Sequence, residues 1–165
     1  MLTAVRSGEV RLATWDEVDR GARVWTIPAA RMKANREHRV PLCTRATEIL
    51  GEARRLPGAS RTGESVGLLF PSARRKPLSD ARISNLLQQL GIAAVPHGFR
   101  SSFRDWASER TDHPRDVVEA ALAHVVRNQV EAAYARSDLF DRRRPSMDDW
   151  MHYLGGERGE VSVRG

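Results

Sequence analysis

The sequence contains a single cysteine, Cys43, which excludes an internal disulfide, and no Cys/His cluster has zinc-site spacing. No apolar run approaches the roughly 18 residues needed to span a bilayer. The N-terminus lacks the charged and then apolar pattern of a secretory signal. These absences read as a cytoplasmic, metal-free chain with no membrane partner. Lysine is scarce: of 27 basic residues only Lys33 and Lys76 are lysines, and the rest are arginines. Tyrosine is equally scarce, at Tyr134 and Tyr153. Arginine suits bidentate phosphate contacts but cannot donate a proton near neutral pH. A lysine kept in such a chain therefore draws attention as a proton donor, although a coding bias toward arginine explains the same imbalance.

What is present is ordinary in amount. The 165 residues suffice for one domain with a core, and 41% hydrophobic with 29% charged residues fits a globular protein. The net charge of +6 fits a polyanion partner, although charge alone does not identify one. Val10 and Ala13 predict a short helix over 7–14. Val24, Trp25 and Ile27 predict a strand ended by Pro28, and "EHRVPL" (37–42) predicts a second. The polar "AARMKANR" between them is the hairpin loop, and Val18 starts a third strand.

Thr44 caps a helix over 45–55, "RLPGASRTGES" (55–65) is a turn-rich loop, and Ser79 caps a helix stopped by Gly91. A helix over 98–110 puts Phe99, Phe103 and Trp106 on a core face, with His97, Arg100 and Arg104 in a stripe beside it. Another helix covers 115–123. His124 and Tyr134 lie ten residues apart, about 280° of net rotation on an unbroken helix, so a break at "RNQ" (127–129) is expected, with Tyr134 on its own short helix. "DRRRP" (141–145) reads as a basic linker. Ser146 and Asp149 open a final helix with Met147, Trp150, Met151 and Leu154 as its apolar stripe, and 155–165 read as a disordered tail. The fold class expected is α+β, mostly helical, with a small antiparallel sheet on one side.

Taken singly, the chemically interesting residues have plain readings. Arg6 is a surface ion-pair partner, Lys33 a solvated loop residue, His97 a helix-end group, His124 a satisfied core histidine and Tyr134 a half-buried aromatic. Their order and company say more. Arginine near the start, a lysine in a hairpin, His-x-x-Arg, a further histidine and then a tyrosine form a long ordered pattern. It runs through "TAVRSGEVRLATWDEVD", "WTIPAARMKANREHRVPL", "LLFPS", "VPHGFRSSFRDWASE" and "ALAHVVRNQVEAAYARSDLF". Over residues 3 to 154 the sequence resembles the catalytic domain of tyrosine recombinases, and within them the integrases of phages and genomic islands.

The resemblance implies a site. Arg6 matches the first catalytic arginine and Glu9 the acidic residue that supports it. Lys33 matches the hairpin lysine, His97 and Arg100 the His-x-x-Arg pair, His124 the later histidine, and Tyr134 the nucleophile. Arg36, Arg74, Arg75, Lys76 and Arg104 are candidate contacts to the DNA backbone. The implied reaction is site-specific recombination of double-stranded DNA through a 3′-phosphotyrosine link, without metal or cofactor. Two alternatives stay open: a remnant that binds DNA without turnover, and a topoisomerase-like nicking and rejoining enzyme.

The resemblance also implies a layout. Residues 1–141 would be the integrase catalytic domain, lacking its first helices and the core-binding domain that family members carry before this point. Residues 142–154 would be a linker and amphipathic helix, able to dock on another integrase protomer in trans or to fold back in cis, and 155–165 a tail. Ala4 stands where the family commonly has glycine.

Overall fold

A computed structural model describes residues 1–55, 67–124 and 137–156. Its organising element is a three-stranded antiparallel sheet in the order β1-β2-β3. Strand β1 (Val18–Asp19) pairs with β2 (Val24–Ile27), which pairs with β3 (His38–Pro41) in the register Trp25↔Val40 and Ile27↔His38. Side chains alternate across a strand, and the alternation is visible in burial. Trp25, Ile27 and Val40 are buried on the inner face, whereas Arg39 is exposed. The expected hairpin and the third strand at Val18 are both present.

Helix α1 (Ser7–Arg11) is shorter than the span expected for it. Helix α2 is Thr44–Ala53, with Cys43 rather than Thr44 in the cap position. The segment after the 55–65 loop joins the sheet side of the molecule, where Leu69 N–H donates to the Ala13 carbonyl at 2.8 Å and Trp15 N–H to that of Gly67 at 3.0 Å. Most of the loop itself lies outside the described residues. Helix α3 (Asp80–Gln89) starts after Ser79 and is followed by Gly91 at φ +68°, the left-handed stop expected there.

Helices α4 (Gly98–Arg110), α5 (Arg115–Ala121) and α6 (Phe140–Gly155) form the other half. Phe103, Trp106 and Trp150 meet at ring-centroid distances of 5.0–5.9 Å, with Val118, Leu122 and Met147 around them. This aromatic core is separate from the aliphatic core of Ile27, Val40, Leu42 and Leu50 against the sheet. Arg6 and Glu9 of α1 lie where the two halves meet.

Further expectations fail. Phe99, expected on the core face of α4, is only half-buried and stands outside the aromatic core. Residues 141–145 are not a linker but the first turns of α6, which runs unbroken through Pro145. Ser146 is therefore no helix cap; it is fully buried in the helix interior. Tertiary partners make the basic run helical. Arg143 is buried beside Asp138, Arg144 donates to the Ala22 carbonyl at 2.9 Å, and Arg142 pairs with Asp116 at 3.5 Å. Met147 and Trp150 dock α6 onto its own chain. The expected break at 127–129, Tyr134 and its short helix, and residues 157–165 of the tail lie outside the described residues.

Candidate functional site

Three separate segments line one open cavity of about 660 Å³: Arg6 and Glu9 at α1, Arg31 and Lys33 in the β2–β3 hairpin, and Pro96, His97 and Arg100 at the start of α4. His124, at the end of α5, joins from the side. Its Nε2 lies 3.3 Å from Arg100 Nη2.

Arg100 is the most firmly held. It is buried, and its guanidinium donates to two backbone carbonyls, those of Ala4 and of Leu122 (2.6 Å). Burial and the nearby Arg6 charge lower its pKa, while Glu9 opposes the shift. Ala4 supplies one of those carbonyls from φ +51°, a left-handed conformation that favours glycine.

Glu9 is buried and reaches back to the chain start of α1. Its carboxylate accepts from Arg6 N–H at 2.7 Å and from Arg6 Nη1 at 2.9 Å. This is half of a capping box, and here it also aims an arginine at the cavity. Its carbonyl accepts from Arg31 Nη1 at 3.1 Å, and Arg31 is itself ion-paired to Glu17. Lys33 and His97 are exposed at the rim.

The candidate DNA-contact residues divide. Arg36 is exposed in the same loop as Lys33. Arg74, Arg75 and Lys76 are exposed in the turn before α3 and do not line the cavity. Arg104 is exposed on α4 but pairs with Glu119 at 3.2 Å.

Sequence reading missed three residues near the site. Arg31 lies two residues before Lys33 and looked like any loop arginine. Glu119 accepts from His124 Nδ1 at 2.6 Å, a spacing of five that no helical repeat suggests. His38 is buried in β3, with burial and the neighbouring Arg143 holding its pKa down at about 4. Its place in an alternating strand gave no hint of this. A second, apolar cleft of about 750 Å³ lies between α2, α6 and residues 1–3. Arg45, His152 and the chain amine are its titratable groups, so it lacks the converging cations of the first.

Comparison with known proteins bears on the family and the fold. The family model described as "Phage integrase family" matches residues 1–139. The chain is 41% identical to prophage integrase IntA of Escherichia coli (strain K12), over 91% of this chain and 36% of that protein. It is 34% identical to the integrase of Enterobacteria phage P4, over 97% of this chain and 39% of that protein. The chain thus spans well under half the length of these relatives. Among solved structures, the XerA recombinase superposes with a TM-score of 0.61 at 19% identity, over 95% of this chain and 55% of that one. An integrase from mycobacterium phage Brujita gives 0.60 at 19%, over 89% and 47%. These likenesses are of fold, that of the tyrosine recombinases. With most of its length under one family model and a relative as close as IntA, the chain belongs to the phage integrase family.

Proposed function

We propose that the cavity binds a DNA phosphodiester and that the chain is the catalytic part of a site-specific recombinase. The observation that supports this best is the convergence of Arg6, Lys33, His97 and Arg100 on one cavity, with His124 against Arg100. No other feature of the described residues gathers so many phosphate-binding groups.

In this reading the phenolic oxygen of Tyr134 attacks phosphorus and the bond to the 5′ oxygen breaks. The 3′-phosphotyrosine link so formed conserves the bond for rejoining. Tyrosine, with a pKa near 10, needs help to lose its proton, and His97 at the rim is the base. The departing 5′ oxygen takes a proton from Lys33, which arginine could not supply. Arg6 and Arg100 place N–H donors on the non-bridging oxygens, where charge builds up in the transition state. His124 braces Arg100, its Nε2 lying 3.3 Å from Arg100 Nη2. Glu9 orients Arg6 rather than moving protons. Tyr134 itself is assigned by its place in the ordered sequence pattern.

The substrate is duplex DNA, with other integrase protomers as partners on it, and the cytoplasm as the compartment. Among the described residues no helix is long and apolar enough to cross a membrane. Arg36, Arg74, Arg75 and Lys76 supply backbone contacts, and affinity should fall steeply with salt. Docking of α6 on its own chain supports the cis arrangement for the isolated protein; exchange in trans would belong to the assembled complex.

A duplex nicked near the cleavage site traps the covalent intermediate because the short cut strand diffuses away. The full chain should form such an adduct, and Tyr134→Phe should form none while binding DNA as tightly. Adduct with the Phe variant would remove Tyr134 from the role. Binding without adduct by the unaltered chain would favour the remnant. Relaxation of supercoiled plasmid without strand exchange would favour topoisomerase-like action.

A further inference from the structure

Helix α5 ends in a way that fixes a side-chain pair. Ala123 is left-handed, at φ +49°. Its N–H donates to the Ala120 carbonyl at 3.1 Å, and His124 N–H donates to the Glu119 carbonyl at 3.0 Å. These two bonds define a Schellman motif, in which the residue after the left-handed one folds back over the residue five positions earlier. That return contact is usually apolar. Here it joins His124 to Glu119, with Nδ1 and Oε2 2.6 Å apart. The other carboxylate oxygen, Oε1, faces Arg104 Nε at 3.2 Å. The carboxylate is thus held at both ends, by α4 and by the imidazole.

The opposite ring nitrogen has a different neighbour. Nε2 faces Arg100 Nη2 at 3.3 Å, and a guanidinium only donates. Both ring contacts are satisfied by one neutral arrangement, with the hydrogen on Nδ1 toward Glu119 and the lone pair of Nε2 toward Arg100. The reverse tautomer would set a lone pair against a carboxylate and an N–H against a guanidinium. The nitrogen that a carboxylate leaves over is the one offered to chemistry.

We propose that Glu119 is a positioning residue: it fixes the tautomer and ring orientation of His124, so that Nε2 faces Arg100 and the phosphate cavity. Arg104 serves the same end by holding Glu119. The mechanistic part of this proposal rests on the recombinase reading above; the tautomer does not. In the full chain, long-range ¹H–¹⁵N correlation of His124 should show Nδ1 protonated. Glu119→Ala should shift the ring to Nε2–H in a protein that remains folded, and should slow adduct formation on the nicked duplex by about tenfold to a hundredfold, the cost of losing an orienting partner of an imidazole. DNA affinity should stay within about threefold. Glu119→Gln keeps an oxygen acceptor and should retain both the Nδ1–H tautomer and most of the rate.

An Nε2–H tautomer in the unaltered chain overturns the proposal. So does a Glu119→Ala variant with an unshifted ring, or a shifted ring with an undiminished rate. If the unaltered chain forms no adduct while the tautomer shifts as expected, the recombinase reading fails and the positioning of His124 by Glu119 is upheld.

Discussion

The cavity has two sides built on different principles. On the α4–α5 side, Arg100 is buried and tied to two carbonyls, and His124 is held between Glu119 and Arg100. On the hairpin side, Lys33 stands exposed in a loop between β2 and β3. The difference matches the two tasks assigned to them. Holding a phosphate through a transition state needs donors already in place, because preorganised dipoles cost nothing to reorient during reaction. Delivering a proton needs a group that reaches its target at the right moment, and a lysine on a flexible stem suits that.

The comparison breaks most visibly at Arg100. Arg100→Ala should slow adduct formation by at least about 10² to 10³, the usual cost of one lost oxyanion donor. It should also destabilise the fold by about 2–5 kcal/mol, because two buried carbonyls lose their donor. Urea unfolding and adduct formation on the same protein measure both. Lys33→Ala should separate the two effects. Its stability should stay within about 0.5 kcal/mol, as for exposed residues generally, while cleavage falls by roughly 10² to 10⁴. A substrate with sulfur at the 5′-bridging position, a better leaving group, should restore the lost rate. Failure of that rescue would take the acid role from Lys33.

The same contrast explains what could be read from sequence. The sheet was legible because Val24, Trp25 and Ile27 form a short apolar run ended by Pro28, with "EHRVPL" as a second run beyond a polar loop. The grouping of Arg6, Lys33, His97, Arg100 and His124 was legible as an order along the chain, and the structure brings these side chains together. What escaped reading depends on partners outside the regular helical spacing, some of them far away in sequence. "DRRRP" has the composition of a linker. Yet each arginine of the run meets a fixed group: Asp116 and the Ala22 carbonyl from distant segments, and Asp138 just before the helix. Glu119 escaped because a left-handed Ala123 makes its spacing to His124 meaningful, and alanine does not announce that conformation.

His38 carries the contrast into pH dependence. It sits beneath the hairpin side, in β3, facing Arg143 and Asp138 near α6, Glu9 of α1 and the Ala121 carbonyl of α5. Burial is the largest cause of its depressed pKa, and Arg143 adds to it. Arg143, itself lowered to about 10 by burial, stays charged at neutral pH. A histidine whose pKa is about 4 when folded and 6.5 when unfolded takes up its proton preferentially in the unfolded chain. Its contribution to stability is therefore complete above about pH 6.5 and is lost as the pH falls toward 4. The loss amounts to about 3 kcal/mol. Urea unfolding at pH 7 and pH 4 should show it, and His38→Gln should flatten the difference. An unchanged difference in that variant would assign the acid sensitivity to the carboxylates.

The smallest effect expected concerns one carboxylate shared by an exposed and a buried arginine. Asp138 accepts from Arg39 Nε and Nη2 at 2.8 and 2.7 Å in bidentate geometry, and from the buried Arg143 Nη2 at 3.2 Å. Geometry alone would rank Arg39 first. Solvent reverses that order, because both Arg39 and Asp138 are more than a third exposed, and exposed pairs contribute about 0.2–1 kcal/mol. Arg39 also stacks 4.5 Å from the Phe140 ring centroid, which adds a similar amount. Arg39→Ala should therefore cost about 1 kcal/mol, and the cost should shrink in 1 M salt as the ion pair is screened. Arg143→Ala should cost several times more and respond little to salt, because Asp138 loses its inner partner and a buried space opens. Equal costs for the two variants would mean that water reaches Arg143, and that the inner wall of the hairpin side is no drier than its rim.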